Sequence, residues 1–306
     1  MLSSPRALPR RRLLRLAAAG VAASALPVAA SIPAAASPVR RLNTDRVCLL
    51  ADPHVAAAPG RRLLGASLTP NLQAAVRRVL EGPRPDAIVL AGDCAADEGR
   101  PGDYRQLGRV LAPLAAAGLA PHLTPGNHDD RAALAAAFPH ASGASGEQPG
   151  GRRLRLAGSD WYLLDSLRRT DETPGELGAA QLAWLAASLD ERPERPAFLV
   201  VHHPPGSRRN PGGRGVGLDD GQRLLKLLAP RRQVKALFHG HLHRMTRWNH
   251  EGLHVVGLPA TSYTFRPLVF RGHVSVEVGL NHLVLERTAL RAGGRGDGKR
   301  TTLAMR

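Results

Sequence analysis

The chain has 306 residues, 43% of them hydrophobic and only 4% aromatic, with a formal net charge of +17. Such a length allows one large domain with tails or two small ones, with a core built mainly from Ala, Leu and Val. Scarce aromatics and scattered Lys/Arg argue against a nucleic-acid partner, which needs stacking platforms and clustered bases; a basic surface attractive to anionic substrates or to an anionic cell envelope fits better.

Residues 1–36 read as an export segment rather than fold. Arg10-Arg11-Arg12-Leu13-Leu14-Arg15 resembles a twin-arginine signal, with Arg10 and Arg11 as the pair. An Ala-rich apolar stretch from Leu16 to Ala30 follows, and Ala34-Ala35-Ala36 offers a small-residue cleavage site. Pro27, Pro33 and the weak hydrophobicity of alanine argue against a stable membrane span. The reading implies a twin-arginine translocase as partner and a periplasmic or extracellular destination.

From residue 37 strand and helix signals alternate. Short apolar runs predict buried strands at Val47–Ala51, Ala87–Ala91, His122–Thr124, Phe198–Val201 and Val234–Phe238. Helices are predicted near Leu68–Leu80, Tyr104–Ala117, Ala179–Leu189 and Asp219–Leu228, and through Phe138 behind an Asp130 cap. Arg153–Leu156 and Asp160–Leu164 read as a hairpin. Residues 141–152 and 204–217 read as loops. Beyond His243 the pattern becomes all strand: Thr246–Asn249, His254–Leu258, Leu268–Phe270, His273–Val278 and Leu283–Arg287. The Gly/Arg-rich stretch 292–306 reads as a disordered basic tail. An alternating first half followed by strands fits an αββα sandwich, two facing mixed sheets flanked by helices, over 37–291.

Five of the apolar runs end in polar stretches: Asp52-Pro53-His54, Gly92-Asp93, Gly126-Asn127-His128-Asp129, His202-His203-Pro204 and Gly240-His241-Leu242-His243. Ligands that leave the ends of several buried strands converge at one sheet edge. Neutral imidazoles, carboxylates and an amide oxygen suit divalent first-row metals. Two cations a few ångströms apart repel, so one carboxylate must bridge; Asp93, alone after its strand, is the candidate. Asp52 and His54, two residues apart, point to one side if their segment is extended.

This set resembles the calcineurin-like metallophosphoesterase family, whose pattern is D-x-H, GD, GNH followed by an acid, a lone H, and GHxH. All five elements stand here in order, over roughly residues 46 to 265. The resemblance implies an αββα sandwich, one ion on Asp52, His54, Asp93 and His243, and a second on Asp93, Asn127, His202 and His241. The ions would come from Mn, Fe and Zn. His128 would sit beside the ions without binding them and supply a proton to the leaving group, with Asp129 orienting its imidazole. Purple acid phosphatases carry glycine where this chain has His54, and a tyrosine where it has Ala96; serine/threonine phosphatases carry GDxxDRG. Neither pattern is present. What remains is similar to small bacterial enzymes acting on cyclic nucleotides and glycerophosphodiesters.

The reaction so implied is phosphodiester hydrolysis by a metal-bound hydroxide, acting on a small phosphate ester with no covalent phospho-enzyme. A broad-specificity phosphomonoesterase and a non-catalytic metal-binding scaffold are the alternatives. His203 reads as structural, though it adjoins a ligand. Asp165 reads as a turn or capping residue. Cys48 and Cys94 read as buried free thiols. Arg208, Arg209 and Arg214 stand on the loop that leaves His202, either solvated or contacting a substrate phosphate.

Overall fold

Both faces of the central strands are apolar in this chain, which is what a strand buried between two layers requires. The computed structural model describes residues 44–140, 150–206 and 215–306. The export segment 1–36, residues 141–149 of the Ser/Gly-rich loop, and Arg208, Arg209 and Arg214 lie outside the described residues.

The first half contains β1 (Asp45–Leu50), β2 (Arg62–Leu63), β3 (Ala66–Ser67), α1 (Leu68–Glu81), β4 (Ala87–Ala91), α2 (Pro101–Ala116), β5 (His122–Thr124) and α3 (Arg131–Ala137). Then follow β6 (Arg152–Arg155), β7 (Asp160–Leu164), α4 (Gly178–Asp190), β8 (Ala197–Val201), α5 (Gly221–Leu228) and β9 (Val234–His239). The chain closes with β10 (Thr246–His250), β11 (Leu253–Gly257), β12 (Gly272–Val278), β13 (His282–Ala289) and β14 (Arg300–Ala304). One mixed sheet has the order β14-β13-β12-β1-β4-β5, the other β10-β11-β9-β8-β7-β6. β1, β4 and β5 run parallel, as do β7, β8, β9 and β11. The predicted αββα sandwich is the fold observed.

Alternation along β1 shows the layering. Val47 and Leu49 enter an inter-sheet core with Trp161, Phe198, Phe238 and Val276. Cys48 and Leu50 face the opposite way and pack with residues of α1 and α2. On the far side of the second sheet, Tyr162 and Leu199 pack with Leu185 of α4 and Leu225 of α5. Asp130 caps α3 as predicted, its side chain accepting from the Ala133 amide. Cys48 and Cys94 are buried free thiols, and burial pushes both pKa values up.

Two expectations are corrected. Residues 292–306 are not a disordered tail. β14 pairs antiparallel with β13, Leu283 opposite Leu303, and Leu303 is buried in the inter-sheet core. Asp297 fixes the preceding Gly-rich turn by accepting from the Ala289 and Gly293 amides, both at 2.8 Å. One short strand was masked by its Gly/Arg-rich flank. Leu268–Phe270 form no strand; Leu268 lies in an exposed turn at φ +63°. The β2–β3 hairpin, two residues per strand, is too short to leave a periodic signal.

Trp161 is fully buried between Phe198 and Phe238, with ring centroids at 4.7 and 5.8 Å, and its indole N–H donates to Ser159 Oγ at 3.0 Å. Trp161→Ala should therefore lower unfolding free energy by about 3–5 kcal/mol. Urea unfolding followed by circular dichroism checks this; a loss below roughly 1 kcal/mol would mean the sheets repack around the gap.

Candidate metal centre

Five loops at the C-terminal ends of parallel strands meet between the two sheets. β1 delivers Asp52 and His54, β4 Asp93, β5 Asn127 and His128, β8 His202, and β9 His241 and His243. The delivery differs from the extended geometry expected. Asp52, His54, Asp93, His241 and His243 all have left-handed backbones, at φ 50°, 44°, 50°, 68° and 50°. Such conformations cost on the order of 1–3 kcal/mol each and persist only where surrounding structure imposes them. Gly92, at φ +80°, allows one of these turns, and a Cβ there would strike the His202 ring. Gly126 packs as closely on the Asp93 backbone.

The ligand candidates fall into two groups that share Asp93. In the first, His54 Nε2 lies 3.2 Å from His243 Nε2 and 3.4 Å from Asp93 Oδ2. Asp52 Oδ1 lies 3.4 Å from His243 Nε2. In the second, His202 Nε2 lies 3.2 Å from His241 Nδ1, 3.3 Å from Asn127 Oδ1 and 3.2 Å from Asp93 Oδ1. An ion with bonds of roughly 2.0–2.2 Å sets neighbouring ligand atoms about 3.0–3.5 Å apart. The donor sets therefore fit an ion each. Asp52 Oδ2, buried, has no hydrogen-bond partner among the described atoms. His202 Nδ1 donates to the Ala91 carbonyl at 2.9 Å and His243 Nδ1 to that of Tyr263 at 3.0 Å. In the neutral ring, each bond fixes the tautomer that leaves an Nε2 lone pair facing its group.

Burial sets most of the charge states. It lowers His54 to a pKa of about 4 and His241 to about 3, so both are neutral imidazoles at pH 7. His202 differs: burial opposes its charge, but the Asp93 carboxylate outweighs it and raises the pKa to about 9. Asp93 is held well below the usual carboxylate range, burial again opposing and His202 prevailing.

His128 is half-buried beside this cluster, its ring 5.3 Å from that of His54. Asp129 does not orient it. Nδ1 of His128 donates to the Asp97 carbonyl at 2.8 Å instead. The fully buried Asp129 carboxylate accepts from the amides of Cys94, Ala95 and Gly126 at 2.9–3.0 Å and from the Tyr104 hydroxyl at 3.0 Å. It fastens the Asp93 loop to the Asn127 loop. The sequence places an acid after GNH but carries no signal for these backbone partners.

His203 is buried, its Nδ1 bonded to Ser166 Oγ at 2.8 Å and its ring 4.9 Å from that of His241. His202, His203 and His241 together can reach one ion, so His203 lies nearer the chemistry than its structural reading placed it. Asp165 takes the role expected, accepting from the Leu167 amide and pairing with Arg131. Tyr263, which holds His243, had no sequence signal.

Residues 45–245 match the calcineurin-like phosphoesterase family. The chain belongs to that family, and it is a metal-dependent phosphoric ester hydrolase. It is 29% identical over 222 residues to a 3′,5′-cyclic-nucleotide phosphodiesterase of Nostoc sp., across 72% of this chain and 79% of the relative. It is 31% identical over 182 residues to the glycerophosphodiester phosphodiesterase GpdQ of Enterobacter lignolyticus, across 58% of this chain and 63% of the relative. In fold it is similar to a dimetal phosphatase from Danio rerio, with a TM-score of 0.65 at 16% identity, covering 86% of this chain and 99% of that one.

With a pKa raised to about 9, His202 is protonated at pH 7 before an ion binds. Ligation by His202 would need its lone pair, so binding there would release that proton, and affinity should climb as pH rises towards 9. Titrating metal-stripped protein with Zn²⁺ or Mn²⁺ by calorimetry, in buffers of different ionisation enthalpy, checks this. A binding enthalpy that is the same in every buffer would contradict the assignment.

Proposed function

We propose that the chain is an exported phosphodiesterase working with two transition-metal ions drawn from Mn, Fe and Zn. One is held by Asp52, His54, Asp93 and His243, the other by Asp93, Asn127, His202 and His241. The observation that carries this reading is the orientation of Asp93, whose Oδ2 faces His54 while its Oδ1 faces His202. Bound together, such ions supply an acidified water and neutralise charge on a phosphoryl group.

The chain's own groups do the rest. The Ala91 and Tyr263 carbonyls aim two imidazoles, and Asp129 keeps the two asparagine- and aspartate-bearing loops in register. His128, anchored at Nδ1 on the Asp97 carbonyl, leaves Nε2 free, and as the imidazolium it would pass the Nε2 proton to the departing alkoxide and remain as the Nδ1–H neutral ring. Cys48 and Cys94 are buried with raised pKa values, which suits a route without a thiolate nucleophile. The named activities of the Nostoc and Enterobacter relatives favour diesters over monoesters.

Purified protein should hold close to two ions per chain, and Asp93→Ala should lose both, as elemental analysis would report. Full metal and activity in that variant would remove the bridge. His128→Ala should keep its metal and lose about 10²–10⁴-fold in turnover on a poor leaving group. The loss should be smaller on bis(p-nitrophenyl) phosphate, since p-nitrophenolate leaves without a proton. Equal losses would remove the acid role, and faster hydrolysis of p-nitrophenyl phosphate than of the diester would favour the monoesterase.

Export rests on Arg10-Arg11 and the Ala-rich stretch behind them. Replacing both arginines by lysine should leave the precursor in the cytoplasm, as cell fractionation would show. Unchanged export would exclude twin-arginine recognition.

A further inference from the structure

Most large apolar side chains in this chain are buried, yet three highly exposed ones line a single groove. Leu64 is 65% exposed, Phe265 63% and Leu268 79%. The groove, about 1040 Å³, runs between the β2–β3 hairpin and the 264–271 turn. Leu64 and Leu268 both sit in left-handed backbone, at φ 47° and 63°, in the turns that border it. A branched side chain in that conformation is disfavoured, and exposure this high returns little packing within the chain.

The charge of the same groove has one sign. Its lining includes Arg77, Arg266, Arg271, Arg291 and Arg295 and no carboxylate. Arg77, Arg266, Arg291 and Arg295 are exposed, and none forms an ion pair among the described residues. Neighbouring Arg78, by contrast, pairs with Asp297. Five arginines of an otherwise scattered basic surface therefore stand together here beside apolar tips.

We propose that this groove docks the protein on an anionic phospholipid surface. Unpaired arginines match anionic headgroups, and aliphatic tips can enter the headgroup–acyl boundary, which a soluble polyanion does not offer. Phe265 ties the surface to the metal centre, its ring 4.6 Å from that of His243. Docking would set the centre's mouth beside the membrane whichever ester is cleaved.

The test uses the full chain with Leu268→Cys, labelled with bimane; Cys48 and Cys94 are buried and stay unlabelled under native conditions. Leu280→Cys is the control, since Leu280 is 72% exposed and sits beside the start of β1, at the sheet edge away from the centre. Vesicles of phosphatidylcholine and phosphatidylglycerol carrying spin-labelled lipid should quench the label at 268 and not at 280. Pure phosphatidylcholine should quench neither. Arg266→Ala, Arg291→Ala and Arg295→Ala combined should weaken binding roughly a hundredfold, with hydrolysis of soluble bis(p-nitrophenyl) phosphate unchanged as the sign of an intact fold. Absence of quenching at 268, equal quenching at 280, or undiminished binding by the triple variant would each overturn the proposal. So would binding of soluble heparin at this groove with no binding of vesicles.

Discussion

Asp52, His54, His202 and His243 are packed within a few ångströms of Asp93, and water scarcely reaches any of them. Asp52, His54, Asp93, His202 and His243 are each at most 2% exposed. A buried charge without compensation is among the largest penalties a fold can carry. The molecule meets it with fixed dipoles and opposite charge. His202 sits against Asp93, the Asp52 carboxylate accepts from the His241 amide at 2.9 Å, and Asp93 accepts from the His128 amide at 3.0 Å. Remaining donor atoms point inwards at each other, an arrangement that a cation relieves. The two apolar sheets supply the rigidity that holds like-charged and lone-pair atoms this close.

Strain is distributed in the same pattern. Leaving a strand into a left-handed residue turns the chain sharply, so that side chains two apart need not face one side. His241 and His243 illustrate this: one joins His202, the other His54. An extended segment would have sent both to one side. The turns are enforced from outside the cluster. Gly92 leaves room for the His202 ring, and Asp129 gathers three amides from two loops. This scaffold acts through backbone groups, which every residue possesses.

That explains what could be read from the sequence. Strands such as Ala87–Ala91 were legible because burial on both faces leaves an unbroken apolar run, and the residues that follow them announced the donor set. Asp93 stood out as the candidate shared carboxylate because it is alone after its strand, whereas the partition of the other donors around it was implied only by the family resemblance. Asp129 was legible as a residue but not as a clamp, because its partners are amides without identity in the sequence. β14 was hidden because one buried leucine among threonines and glycines carries too little signal. Leu268–Phe270 misled for the opposite reason: an apolar triplet stood at the surface rather than in a sheet.

The strand order carries a consequence for how the molecule is made. β1 stands between β4, which follows it closely, and β12, whose Val274–Val278 pair with Asp45–Leu49. β1, the first strand among the described residues, thus waits for β12, late in the chain, before its second edge is covered. Contacts so distant in sequence require loop closure before they return any stability, and slow the approach to the native state. Until then an apolar edge beside Asp52 stands open to other chains. The pairing of β1 with β12, more than local helix formation, therefore sets when that edge is closed.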